Sequence, residues 1–183
     1  MTEGQIQYHA EHRVALRDGT PVLLRPLTAA DGALYPDFQK AVDAQDFRLR
    51  FFSPLRQLSP EFIDKLTHYD PKIAMASIAI EETAGIMLGV VRLHDDPAGG
   101  GADLAVIIRS HLKGRGLGWA MMRHMIAYAK SKGLKSVRGQ VLAENSTMLI
   151  MCKELGFHVT DDPGERGVKQ VTLPLNEVPA LAD

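Results

Sequence analysis

Residues Lys113 to Gly118, KGRGLG, place three glycines at alternate positions where an apolar strand gives way to a long amphipathic helix, with Lys113 and Arg115 interleaved. A helix start presents up to four backbone N–H groups without intrahelical partners, together with a partial positive charge. Glycines let a ligand approach that backbone with no Cβ in the way. The natural guest is a phosphate or pyrophosphate. Two familiar phosphate loops do not fit: GxxxxGK[ST] is absent, and Gly114, Gly116 and Gly118 are spaced G-x-G-x-G rather than G-x-G-x-x-G. About twenty positions on, Val137-Arg138-Gly139 also lacks the acid of a dinucleotide site. A glycine-rich turn that only permits tight packing is the plainer alternative.

The elements around this loop follow from periodicity, which switches between two and 3.6 with no repeats. HRVALRDGTPVLLRPL reads as a hairpin turning at Asp18-Gly19, with a second strand from Val22 to Arg25. Thr28 to Asp31 is a capping-box variant that predicts a helix towards Ala44, and Ser59-Pro60-Glu61 opens a short helix. KIAMASIAIEETAGIMLGVVRLHDD reads as two strands turning at Thr83-Ala84-Gly85. After the glycine loop and its helix come a strand (Ser136 to Leu142), a helix (Ser146 to Leu155), a strand (Phe157 to Thr160) and a last strand ending at Pro174. Residues 1–11 and 176–183 read as tails around one domain, 12–175.

Composition limits the function. The chain has 183 residues, 45% hydrophobic and 23% charged, with a formal net charge of −1, which fits a globular domain and supplies no basic field for nucleic acid or anionic membrane. No apolar run is long enough to span a bilayer and the start lacks a leader pattern, so a cytoplasmic location is expected. A single cysteine, Cys152, excludes an intrachain disulfide. His9 and His12 stand without a carboxylate or cysteine cluster, so no metal is expected. Met121, Met122, Met125 and Ile126 form a core stripe, and Trp119 packs at the helix start.

Lys113-Gly-Arg-Gly-Leu-Gly118 resembles the [R/Q]-x-x-G-x-[G/A] loop of the GNAT N-acetyltransferases, and ENSTMLIMCKELGF resembles that family's N-x(n)-K-x-x-GF segment at Asn145 and Gly156-Phe157. The match runs from about Val22 to Pro174. Within the family, DFRLRFFSPLRQLS, LTHYDPKIAMA and ADLAVIIRSHLKGRGLG are most similar to the catalytic domain of bacterial Pat-type protein lysine acetyltransferases. Many of those carry an extra regulatory domain, for which this chain is expected to have no room. The resemblance implies an α/β fold: a mixed, mainly antiparallel sheet flanked by helices.

It also implies acetyl-CoA as co-substrate and an amine acceptor. The amides of Lys113, Gly114, Arg115, Gly116, Leu117 and Gly118 would cradle the pyrophosphate, with the Lys113 and Arg115 charges near the CoA phosphates. The main chain of Ile107, Ile108 and Arg109 would pair with the pantetheine arm. Asn145 would touch the cofactor or cap the following helix, and both readings stand. Arg48, Arg50, Phe51 and Phe52 would lie towards the acceptor, or form a salt-bridged junction.

A lysine amine has a reference pKa of about 10.4, so its attack on a thioester requires a base. Asp103 occupies the place of a glutamate that serves as base in Pat-type enzymes, and partial burial there would suit the role; the alternative is a solvated acid closing the GGG loop. Its side chain is a methylene shorter than glutamate, so a relaying water is expected. Glu81 and Glu82 are weaker candidates in a turn. Many relatives place a tyrosine seven residues after the asparagine; here that position is Cys152. A thiol with a pKa near 8.5 departs without much help, and Cys152 reads as a small buried hydrophobe rather than a nucleophile. The expected activity is direct acetyl transfer to an amine, with a protein lysine preferred by resemblance. A small-molecule amine as acceptor, or a non-catalytic CoA-binding sensor, are the alternatives.

Overall fold

The computed structural model describes residues 8–53 and 57–175. One eight-stranded sheet organises them, in the order β1-β2-β3-β4-β5-β6-β8-β7. The hairpin expected around Asp18-Gly19 is β1 (His12–Ala15) and β2 (Pro21–Pro26). Strands β3 (Ala74–Glu81) and β4 (Ile86–Asp95) turn at Gly85, and β5 (Gly101–Ile108) returns along β4. Then follow α4 (Leu117–Ser131), β6 (Ser136–Leu142), α5 (Ser146–Glu154), β7 (His158–Asp161) and β8 (Val168–Pro174). All neighbours are antiparallel except β5 and β6, which run parallel because α4 carries the chain back across the sheet between them. The expected mixed, mainly antiparallel α/β architecture is what is found.

Two cores sandwich the sheet. On one face α4 and α5 pack through Leu117, Met121, Met125 and Cys152 against Ala102, Val137 and Val171. On the other, α1 (Tyr35–Lys40), α2 (Ala44–Phe51) and α3 (Pro60–Thr67) cover Ile78, Val90 and Ile107 with Tyr35, Phe38 and Phe47. Alternation along the strands sorts the site. In β5, Ala102 faces the α4 side and Ile107 the α2 side, so Asp103 shares the α2 face. In β6, Val137 and Val141 face α4, which puts Arg138 on the α2 face beside Asp103, its register partner.

The helix predicted from Thr28 towards Ala44 is broken. A 3-10 turn at Ala29–Leu34, opened by the Asp31 carboxylate accepting the Thr28 N–H at 2.7 Å, leads into α1, which stops at Lys40. The chain then starts again as α2, in a segment for which no element was expected. Asp43 is the reason: its carboxylate accepts the Asp46 N–H at 2.8 Å, and its own N–H donates to the Ser110 hydroxyl at 2.8 Å. The expected tails lie mostly outside the described residues. Tyr8, at the end of the first, packs with its ring 5.2 Å from those of His124 and Tyr128.

Candidate functional site

The sheet splits where the site lies. β5 and β6 pair only from Gly101↔Ser136 to Asp103↔Arg138, while β5 stays on β4 through Ile108. Gly139 sits at the fork; a Cβ there would stand 3.3 Å from the Leu104 carbonyl oxygen and 3.4 Å from Val171. Beyond the fork the strands diverge into a cleft of about 880 Å³, closed below by α4 and α5 and flanked by the end of α2.

The parity of hydrogen bonding decides which backbone groups this cleft receives. Asp96 donates to the Gly101 carbonyl at 2.9 Å and Arg109 to that of Leu88 at 2.9 Å, so the odd-numbered residues of β5 bond to β4. Val106 and Ile108 therefore direct their N–H and C=O groups towards the missing strand. Both line the cleft. Of the three residues expected to offer main chain, Ile108 does so; Ile107 and Arg109 have theirs turned to β4. Arg109 is also buried, with Nε donating to the Met87 carbonyl at 2.6 Å and a terminal nitrogen 2.6 Å from Asp37. Val106 went unnamed, because which parity of β5 faces the missing strand is set by its pairing with β4, which the sequence of β5 alone does not carry.

The glycine loop closes the far end of the cleft. Gly114 and Gly116 have φ of 78° and 91°, which a Cβ would oppose, and Gly116 caps α4. The N–H groups of Gly114, Gly116, Leu117, Gly118 and Trp119 have no hydrogen-bond partner among the described residues. The loop's carbonyls are held instead: Arg17 donates its N–H to the Arg115 carbonyl at 3.2 Å and its guanidinium to that of Gly114 at 3.0 Å. The β1–β2 hairpin is thus a brace for the loop, invisible in local sequence because about a hundred residues separate them. Lys113 and Gly118 line the cleft, whereas Leu117 buries its side chain in the α4 core. The two loop cations are already engaged, Lys113 with Asp46 and Arg115 with Asp18 at 3.0 Å.

Asp103 lines the cleft and is exposed rather than partly buried, because the chain opens out at the fork immediately beyond it. It makes no hydrogen bond or ion pair among the described residues. Its neighbour Arg138 is paired with Asp96, and the Arg138 Nε is buried without a partner. Asn145 lines the cleft and caps α5, accepting the Met148 N–H at 3.3 Å. Cys152 is 1% exposed, and burial pushes its thiol up to about 11. Glu81 accepts the N–H groups of Thr83 and Ala84 in the β3–β4 turn, and Glu82 pairs with Arg13, both as structural acids. No cluster of three metal-ligating side chains exists among the described residues, and no helix among them is long and apolar enough to cross a membrane.

The chain and its fold are similar to several known proteins. The chain is 29% identical over 153 residues to acetyltransferase PA5475 of Pseudomonas aeruginosa, covering 82% of each. Its fold is similar to the GNAT domain of S. lividans PAT, at 26% identity and a TM-score of 0.83, covering 91% of this chain and 97% of that one. The fold also matches spermidine N-acetyltransferase from Vibrio cholerae, solved with CoA and spermine, at 16% identity and a TM-score of 0.67, over 85% of this chain and 96% of that one. Residues 22–158 match the family described as acetyltransferase (GNAT) domain, and the chain belongs to that family.

Proposed function

We propose that this protein transfers the acetyl group of acetyl-CoA directly to an amine, that the preferred acceptor is a protein lysine, and that Asp103 is the base. The observation that carries this reading is the cleft itself, where five N–H groups at one end and a carboxylate at the fork, all without partners among the described residues, flank an open strand edge.

The amides of Gly114, Gly116, Leu117, Gly118 and Trp119 would hold the diphosphate, favoured by the α4 dipole, while those of Lys113 and Arg115, also expected in the cradle, donate to the Ser110 and Leu112 carbonyls at 3.4 Å. Val106 and Ile108 would hydrogen-bond the amides of the pantetheine arm as a missing strand would, drawing it into the fork beside Asp103. Bound there, acetyl-CoA supplies an activated acyl group on a thiol that leaves readily. Asp103 accepts the proton of the acceptor ammonium, through a water where its short side chain falls short, and leaves the amine lone pair free to attack. Cys152 takes no part, since a thiol raised to about 11 yields little thiolate at neutral pH. The lysine acceptor is supported by the resemblance to Pat-type enzymes and by the likeness to the GNAT domain of S. lividans PAT. A cytoplasmic setting agrees with a single, buried cysteine.

Thiol release from acetyl-CoA, measured with lysine-containing protein extract and with a panel of small amines, tests the reading. Release with protein, accompanied by acetyl-lysine in the extract, is expected. Turnover of small amines alone would overturn the acceptor assignment, and binding of acetyl-CoA without any turnover would make the chain a sensor.

A further inference from the structure

Among the described residues, the cleft is lined by three cations, Arg50, Lys113 and Arg138, and four acids, Asp46, Asp96, Asp103 and Glu144. Most of these charges are matched. Lys113 pairs with Asp46, whose other oxygen accepts the Ser110 hydroxyl at 2.6 Å; Arg138 pairs with Asp96; Glu144 pairs with Arg48, one turn from the end of α2. Two charges remain without a counter-ion among the described residues: the Asp103 carboxylate and the Arg50 guanidinium. Both belong to the α2 side of the sheet.

Arg50 is set up to stay unmatched until something arrives. Its guanidinium carbon lies 4.6 Å from the centre of the Phe51 ring. The next cation on this face, Arg92, is held by donating to the Tyr35 hydroxyl at 3.1 Å. Burial, and then the charge of Arg92, pull Arg50 down to about 10, still protonated at neutral pH. A part-buried cation beside another cation gains from an anion that enters with the ligand, and a guanidinium presents two parallel donors suited to a carboxylate.

We propose that Arg50 receives a carboxylate carried by the acceptor close to its reacting amine, so that the two unmatched charges of the cleft take the two charges of the acceptor. Building on the acetyl-transfer reading above, the substrate class becomes a lysine flanked by an acidic residue. A free amino acid presents the same chemistry from a different source.

The test uses the full chain with acetyl-CoA and matched peptides bearing Glu, Gln or Lys beside the target lysine, together with free lysine and 1,5-diaminopentane, which lacks the carboxylate. Wild type is expected to favour the Glu peptide through KM. Arg50→Gln is expected to raise KM for that peptide by about tenfold to a hundredfold and erase the preference, and Arg50→Lys to restore part of it. A merely structural role would slow all acceptors alike and leave their ratio unchanged, which would overturn the proposal. Turnover of free lysine but of no peptide, with the same dependence on Arg50, would remove the protein acceptor and keep the carboxylate site. Equal use of lysine and 1,5-diaminopentane by wild type, or a wild type indifferent to the flanking residue, would overturn it even if Arg50→Gln fails to fold. A preference seen only with a dicarboxylic acyl-CoA would also overturn it, by moving the anion from the acceptor to the donor.

Discussion

Asp103 and Cys152 both border the cleft, and their surroundings assign them opposite parts. Asp103 is exposed, without a partner among the described residues and at the fork; Cys152 is buried on the core face of α5, where burial pushes its thiol up to about 11. Cys152→Ala is accordingly expected to keep turnover within a few-fold while losing about 1–2 kcal/mol of stability to the smaller side chain. Intact-mass spectra taken during turnover check the chemical half, and should show no acetylated enzyme intermediate. Both positions were legible in the sequence, Cys152 from its place on an apolar helix and Asp103 from its place at a strand start. The exposure of Asp103 was not, because it depends on where β6 leaves β5. Nor was the pairing of Lys113 with Asp46, since an acid sixty-seven residues away carries no local signal.

At the scale of elements, the hairpin holds two carbonyls of the glycine loop on one side and leaves N–H groups of the loop without partners among the described residues on the other. Gly116→Ala should cost about 1–2 kcal/mol, since its φ of 91° is hostile to a Cβ, and should weaken acetyl-CoA binding more than it slows turnover at saturation. Arg17→Ala removes the guanidinium half of the brace, the bond to the Gly114 carbonyl, and leaves the backbone bond to Arg115 and the cleft untouched; a several-fold rise in the acetyl-CoA Kd by calorimetry, with kcat retained, is the expected result. Loop, long helix and the later strand–helix–strand run were readable from glycine spacing and periodicity. The break between α1 and α2 was not: Asp43 looks like any surface acid until Ser110, 67 residues on, meets its N–H. The hairpin's second task escaped for the same reason, as periodicity identifies strands but not what their turns touch.

The molecule as a whole is a sheet that forks between β5 and β6, and the fork is a property of register that single strands do not encode. Under the far part of that sheet lies His124, 4% exposed, with Nε2 2.9 Å from the Ser77 hydroxyl and its ring 4.9 Å from that of His12. Burial, reinforced by His12, pushes it down to about 4, so the unfolded chain takes up this proton first as pH falls. Its contribution to stability is present above about pH 6.5 and is lost between there and pH 4, amounting to at most about 3 kcal/mol. Urea unfolding against pH should show this acid limb, flattened in His124→Gln. For the central claim, that one cleft holds acetyl-CoA by backbone groups and deprotonates an amine by Asp103, the direct measurement is acetyl-CoA affinity and single-turnover acetyl transfer in parallel for wild type and Asp103→Asn. Unchanged affinity and a transfer rate lowered by about a hundredfold or more are expected for the variant. A variant that binds acetyl-CoA equally well and transfers its acetyl group at the wild-type rate would contradict that claim.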